Sequence, residues 1–158
     1  MMEILKLKFK LIAIDAGFET DRDDIKSHTR YVFVLNGGAV DCKSSKQSTT
    51  AMFAIEAEYI SASEATMEAV WISKFISRLC TIPTINEPIK MFCNNSDALL
   101  IANELRVQRG ARHYHRRYHY ARECFELGEI NLLKFYIDDN LADPFMKALS
   151  KGKLTQTC

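Results

Sequence analysis

Residues that break or staple a backbone are scarce in this chain. Six glycines and three prolines in 158 residues exclude a collagen-like or low-complexity protein and leave no stretch that reads as a flexible linker. A net charge of +1, from 21 basic and 20 acidic residues, means that overall charge names no partner. The five cysteines, Cys42, Cys80, Cys93, Cys124 and Cys158, are odd in number, scattered and never arranged as C-x-x-C. That pattern excludes a disulfide framework, speaks against zinc held through cysteine, and reads as free thiols in a reducing compartment. Long hydrophobic runs are missing too. The opening "MMEILKLKFKLIAI" alternates leucine with lysine, which argues against a signal peptide or membrane span and fits a solvent-facing strand. With no targeting signal, an intracellular, cytoplasmic location is the default expectation.

What is present is enough apolar residue for one domain with a real core, 1–158 with its centre at about 11–150. "LKLKFKLIAID" is a strand signal that ends at Asp15, and "AGFETDRDDIKSHT" after it is polar and loop-like, with carboxylates at Asp21, Asp23 and Asp24. "RYVFVLN", a turn at Gly37 and Gly38, and "AVDCKSS" form a hairpin. From about Ala51 to Cys80 the pattern is helical, with Ile60, Met67, Trp71, Phe75 and Leu79 at three- and four-residue steps. Trp71, Phe75 and Ile76 are expected in the core. Pro83 and Pro88 bracket a connector, "IKMFC" is a short strand, and "SDALLIANEL" a short helix capped by Ser96. A basic loop, "RVQRGAR", leads into a helix that Gly128 ends; "INLLKFYI" is a strand, and "LADPFMKALS" a last helix with Pro144 in its first turn. An antiparallel hairpin followed by strand–helix crossovers predicts an α/β domain with a five-stranded mixed sheet and helices packed on it.

Laid side by side, strands one, four and five would bring several polar residues to one edge. Asp15 ends the first strand, Glu56 and Glu58 lie near the start of the long helix, Asn94 follows the fourth strand, and Asp143 starts the last helix. Converging carboxylates, with no cysteine pair and no nucleophilic serine motif, suit hard divalent cations such as Mg²⁺. Two such ions about 4 Å apart serve in-line phosphoryl transfer in nucleases and polymerases. Spacing alone does not decide it, because lone carboxylates at strand ends and helix starts are more often caps or solvated charges.

Several motifs carry a more specific pattern. "STTAMFAIEAEYISASEATMEAVWISKFI" resembles the segment around "TEAEY" in the RNase H domain of copia-type LTR retrotransposon Pol polyproteins. "DRDDIKSHTRYVFVLNGGAVDCKSSKQSTT", "FCNNSDALLIANE", "ARHYHRRYHYARECFELGEI" and "NLADPFMKALSKGKL" resemble further motifs of that family in the same order, from about Leu11 to Leu154. The resemblance implies an RNase H-like fold, a two-ion Mg²⁺ site, and hydrolysis of the RNA strand of RNA–DNA hybrids during reverse transcription. It places Asp15, Glu58 and Asp143 as metal ligands, with Asn94 at the position of the third catalytic carboxylate. Glu56 is the rival of Glu58; two residues along a helix is about 200° of rotation, so both cannot face one site.

At Asn94 the family has a carboxylate. An amide keeps the shape and one oxygen but removes a full negative charge, and two close divalent ions need that charge to offset their repulsion. Asp97, one turn into the next helix, would have to reach back to replace it; its ordinary role is with the helix dipole. Other departures point the same way. Gly17 and Phe18 stand where the family has Asp and Trp, Arg30 where it has a small Gly, "VDCKSS" where it has a Trp, and His115 where it has an acid. Together they read as drift, and activity is expected to be impaired.

The stretch from Glu104 to Glu123 has no acid between its ends. It holds Arg106, Arg109, Arg112, Arg116, Arg117 and Arg122, three histidines, and Tyr114, Tyr118 and Tyr120. That concentration is a nucleic-acid signal, since the guanidinium fork binds two phosphate oxygens at once. The bland alternative is a solvated helix face. His115 and His119 have the i, i+4 spacing of a helical metal pair but lack a further ligand. Tyr114, Tyr118 and Phe125 equally read as that helix's buried stripe. Lys46, in the polar loop "SSKQST", is a weaker phosphate contact.

Three readings therefore remain from sequence: an RNase H-type nuclease crippled at Asn94, a catalytically silent nucleic-acid-binding domain, and a genomic fossil. The reverse transcriptase and integrase of such a polyprotein are absent, and "MM" directly precedes the domain, as expected of a fragment.

Overall fold

A computed structural model describes residues 9–21, 25–79, 87–93, 96, 99 and 115–134. The hairpin organises the sheet. β2 (Lys26–Leu35) and β3 (Gly38–Lys46) pair antiparallel with Leu35 opposite Gly38. The two-residue connection is Asn36–Gly37, at φ 50° and 88°. Both values lie in the left-handed region, the signature of a type I′ turn, and Asn followed by Gly is the pair that reaches it most cheaply. The turn thus sits one residue earlier than the expected Gly37–Gly38, and Gly38 already belongs to β3.

β1 (Phe9–Asp21) pairs antiparallel with β2 and parallel with β4 (Ile89–Cys93), which in turn pairs parallel with β5 (Ile130–Lys134). The sheet order is β3-β2-β1-β4-β5. This is the expected five-stranded mixed sheet, with one correction. β1 does not end at Asp15: it continues to Asp21, because the polar run after Asp15 finds partners along β2, Asp15 opposite Arg30 and Asp21 opposite Lys26. Cross-strand pairing, which a local pattern does not reveal, extends the strand.

α1 (Ala54–Arg78) is 25 residues long, about 37 Å. Its N-terminus has no side-chain cap from Phe53; instead the Glu56 carboxylate accepts the Met52 N–H at 2.7 Å. The buried face is built from Ala57, Ala62, Ala65 and Ala69, with Ser61 and Thr66, and then Ile72 and Ile76. Small side chains let the helix axis approach the sheet, where Ile14, Tyr31, Phe33, Ile89, Met91 and Ile130 complete the core. The hydroxyls of Ser63 and Thr66 donate to the carbonyls of Tyr59 and Ala62, so their burial carries no orphaned donor.

The expectation that Trp71 and Phe75 are core is overturned: they are 59% and 50% exposed, and Leu79 is 53% exposed. Ile76, the third of that set, is buried as expected. The sheet accepted the small-residue face of α1 rather than the bulky one.

α2 (His115–Glu126) packs on α1 through Tyr118, Ala121, Cys124 and Phe125. It ends in a Schellman turn: Glu129 N–H donates to Cys124 O at 3.0 Å and Gly128 N–H to Phe125 O at 3.2 Å. Gly128, at φ 70°, supplies the left-handed residue that the motif needs. Cys42, Cys93 and Cys124 are free thiols. Among the described residues no helix is long and apolar enough to cross a membrane.

Candidate functional site

The parallel register of β1 and β4 fixes where a site would lie. β4 ends at Cys93, whose partner in β1 is Ile14 and whose partner in β5 is Lys134. The backbone of Asp15 therefore stands one step beyond the last β1–β4 pair, level with the carboxyl edge of β4. Carboxyl edges of parallel strands are where α/β sheets gather ligands. The first turns of α1 cover the same region: Ala16 packs with Ala51, Ala57 and Ile60, and Tyr118 of α2 rests against this group.

Glu58 lies in that covering segment, directly after Ala57, and is 7% exposed. A carboxylate so far from water calls for protonation, hydrogen bonding or a cation to offset its desolvation. Glu56 is used differently, since its Oε2 holds the Met52 N–H at the helix start. Of the two glutamates, the buried one is Glu58.

A second buried polar group meets the same turn of α1 and was not anticipated from sequence. Gln47, in the loop read as "SSKQST", is 1% exposed. Its backbone N–H donates to Ser27 O at 2.8 Å. Its side-chain Nε2 donates to Ala57 O at 2.9 Å and to Ser61 Oγ at 3.1 Å, and Ser61 Oγ donates on to Thr29 Oγ1 at 3.3 Å. Ala57 and Ser61 bracket Glu58 along the helix. The amide thus ties the carboxylate's own turn of α1 to β2. Among the described residues Gln47 Oε1 has no hydrogen-bond partner. Composition marks such a Gln only as loop, so no local signal points to its burial.

Tyr59 and Tyr118 meet across α1 and α2 with ring centroids 5.3 Å apart and planes tilted by 32°. Burial pushes the Tyr59 hydroxyl up, partly countered by the nearby Arg122 guanidinium and a hydrogen bond with Ser63. Arg122 Nε also lies 3.9 Å from Glu126 Oε1. Tyr118 and Phe125 lie on the packed side of α2, whereas Tyr120 and His119 are exposed.

The side chain of Asp15, and Asn94, Asp97 and Asp143 altogether, lie outside the described residues, as do Arg106, Arg109, Arg112, Tyr114 and the last helix. Of Arg116, Arg117 and His115 only the backbone, in α2, is described. Among the described residues no group of three or more His, Cys, Asp or Glu is placed to hold a metal ion. What the structure brings together is the backbone of Asp15 and the edge of β4, with Ala57, the neighbour of the buried Glu58, packed with Ala16.

Comparison with known proteins agrees with the retroelement character of the motifs. The chain is 30% identical over 139 residues to the retrovirus-related Pol polyprotein from transposon TNT 1-94 of Nicotiana tabacum, matching 88% of this chain. It is 26% identical over 137 residues, 87% of this chain, to the corresponding polyprotein from transposon RE1 of Arabidopsis thaliana. A shorter match, 46% identical over 59 residues, is to secreted RxLR effector protein 161 of Plasmopara viticola, covering 37% of this chain and 42% of that protein. The chain spans only about a tenth of the Pol polyproteins it matches: 10% of the tobacco protein and 9% of the Arabidopsis one. No protein-family model matches, and no solved structure does.

Proposed function

We propose that this chain is the RNase H-type domain of a copia-like retroelement Pol polyprotein, with an RNase H-like fold and impaired hydrolysis of RNA in RNA–DNA hybrids. The observation that carries the reading is the β1–β4 register, which sets Asp15 level with the end of the strand that Asn94 follows, beneath the turn of α1 bearing Glu58. The donor set fits hard divalent ions in kind, being oxygen throughout. Asp15, Glu58 and Asp143 are the residues that would hold Mg²⁺. When bound, such ions lower the pKa of an attacking water and offset charge on the leaving oxygen. Glu58, buried beside residues anchored to Gln47, would present its carboxylate at a water-poor position, where its charge acts more strongly on a bound cation than at the surface. Asn94 brings an oxygen without charge. The arginines Arg106, Arg109, Arg112, Arg116 and Arg117 supply the nucleic-acid contacts.

A labelled RNA–DNA hybrid incubated with Mg²⁺ tests the proposal. The chain as it stands is compared with Asn94→Asp and with Asn94→Asp/Asp15→Asn. Cleavage by Asn94→Asp alone supports an intact site silenced by one lost charge. Equal cleavage by the chain as it stands refutes the role given to Asn94. Hybrid binding without cleavage by any of the three moves the function to a silent nucleic-acid-binding domain.

A further inference from the structure

The outward face of α1, exposed at Trp71, Phe75 and Leu79, carries its own arrangement. Trp71 and Phe75 stack almost parallel, with centroids 5.4 Å apart and planes 7° apart. Lys74 and Arg78 are exposed on the same face, one turn along, and Leu79 closes it. Residues 71, 74, 75, 78 and 79 fall at i, i+3, i+4, i+7 and i+8, a single stripe of the helix. The acids of α1 stop at Glu68, so the last ten residues are cationic and neutral only. Lys74 and Arg78 have no ion-pair partner among the described residues. An apolar core helix has no use for a bare tryptophan, and an ordinary solvated face has no use for two stacked rings.

We propose that this stripe is a stacking platform for single-stranded nucleic acid. A base lies on the free face of the Trp71–Phe75 pair, and Lys74 and Arg78 meet the phosphates on either side. Every base offers a π-face, so such a platform binds without sequence preference. The choice of occupant rests on charge: a polyanion matches Lys74 and Arg78, whereas an apolar protein face would leave both cations to be desolvated. Glu87 and Glu129 border the cleft beside Lys74 together with Pro88 and Leu127. They repel phosphate there and favour a strand that runs along the helix rather than into the cleft. The platform stands apart from the metal-site reading, since it requires neither Asp15 nor Glu58.

The chain holds a single tryptophan, so the platform reports on itself. The full chain is titrated with oligo(dT) and, separately, oligo(U), with Trp71 emission as the signal. Stacking quenches that emission in both arms if the chemistry is shared, and in one arm only if the sugar is read. Lys74→Glu/Arg78→Glu, which changes exposed residues and leaves Trp71 in place, is expected to weaken the quenching constant at least about tenfold. Phe75→Ala is expected to weaken it by about tenfold as well. Two phosphate contacts give a slope of log affinity against log salt of about −1.4 for a single strand. Oligonucleotide binding that leaves Trp71 emission unchanged overturns the proposal and assigns binding to another surface. Quenching that survives the double charge reversal also overturns it. Trp71 emission that changes with protein concentration alone, alongside a dimer in sedimentation, overturns it in favour of a second copy of the chain.

Discussion

Gln47 should be worth more to stability than its place in a loop suggests, and the structure allows the cost to be divided. Gln47→Met keeps the length and most of the volume while removing the donors to Ala57 O and Ser61 Oγ. Two buried hydrogen bonds at roughly 1 kcal/mol each set the loss at about 2 kcal/mol. Relief of the unpartnered Oε1 returns on the order of 1 kcal/mol, so the net cost is about 1 kcal/mol. Ser61 Oγ keeps its bond to Thr29, so no fresh orphan is created there. Gln47→Ala adds a cavity at a fully buried position and should cost about 3 kcal/mol. With a urea slope of roughly 2 kcal/mol/M, the midpoint falls by about 0.5 M for the methionine and about 1.5 M for the alanine. Urea titration followed by circular dichroism measures both. Equal midpoints for wild type and Gln47→Ala would refute the tether, as would a methionine variant less stable than the alanine one.

Three other outcomes follow from the same structure. Gly37 and Gly128 hold φ of 88° and 70° with nothing near the place of a Cβ, so Gly37→Ala or Gly128→Ala should each cost about 1 kcal/mol through backbone strain alone; an unchanged urea midpoint would show that the turn had rearranged. Burial, and next to it the carboxylate of Glu68, raise the Tyr31 hydroxyl far above its ordinary value of 10.0. The folded state therefore keeps a proton that the unfolded state releases, so this contribution is intact below about pH 10 and is lost as pH rises above it, at up to about 1.4 kcal/mol per pH unit. Tyr31→Phe should flatten that alkaline limb in urea titrations at successive pH values, and an unaltered limb would remove Tyr31 from the account. Finally, hybrid cleavage should be faster for Asn94→Asp/Arg30→Gly than for Asn94→Asp, because Arg30 stands opposite Asp15 in the β1–β2 register; equal rates would mean that Arg30 does not act on the site.

The hairpin was legible because its signals are local: alternating β-branched and aromatic residues on either side of Asn36–Gly37–Gly38 leave few alternatives. The long helix was legible for the same reason, but its buried face was not. Both Met67–Trp71–Phe75 and Glu58–Ala62–Ala65–Ala69–Ile72–Ile76 satisfy a helical period. Only the sheet decides between them, and close approach favours the side with alanines. The far half of β1 was illegible because "AGFETD" is a strand by virtue of its partners in β2, not of its own residues. At the site the carboxylates were visible as residue types, while their assignment as ligands came through resemblance to a family. Gln47 could not be found at all, because its burial depends on α1 descending onto the loop that precedes it.

The position of Asp15 within β1 bears on what the substitutions near it do. β1 runs on past Asp15 beside β2, whereas on its other side β4 stops at Cys93, so Asp15 is flanked by paired backbone on one side and by a strand edge on the other. Compared with the copia-type pattern that the sequence resembles, both of those sides have changed charge in the same direction. On the open side Asn94 replaces a carboxylate, a change of one unit. On the paired side Arg30 replaces a glycine, another unit of the same sign. Two positive units is the charge of one Mg²⁺. Both changes lower the pull of this region on a divalent cation while leaving the strand pairing undisturbed, since an amide is nearly isosteric with a carboxylate and Arg30 is accommodated opposite Asp15 in an unbroken stretch of ladder. The Gln47–Ser61–Thr29 hydrogen bonds tie the Glu58 turn of α1 to β2 whatever charge stands at position 94, so the fold of this region does not depend on a bound cation.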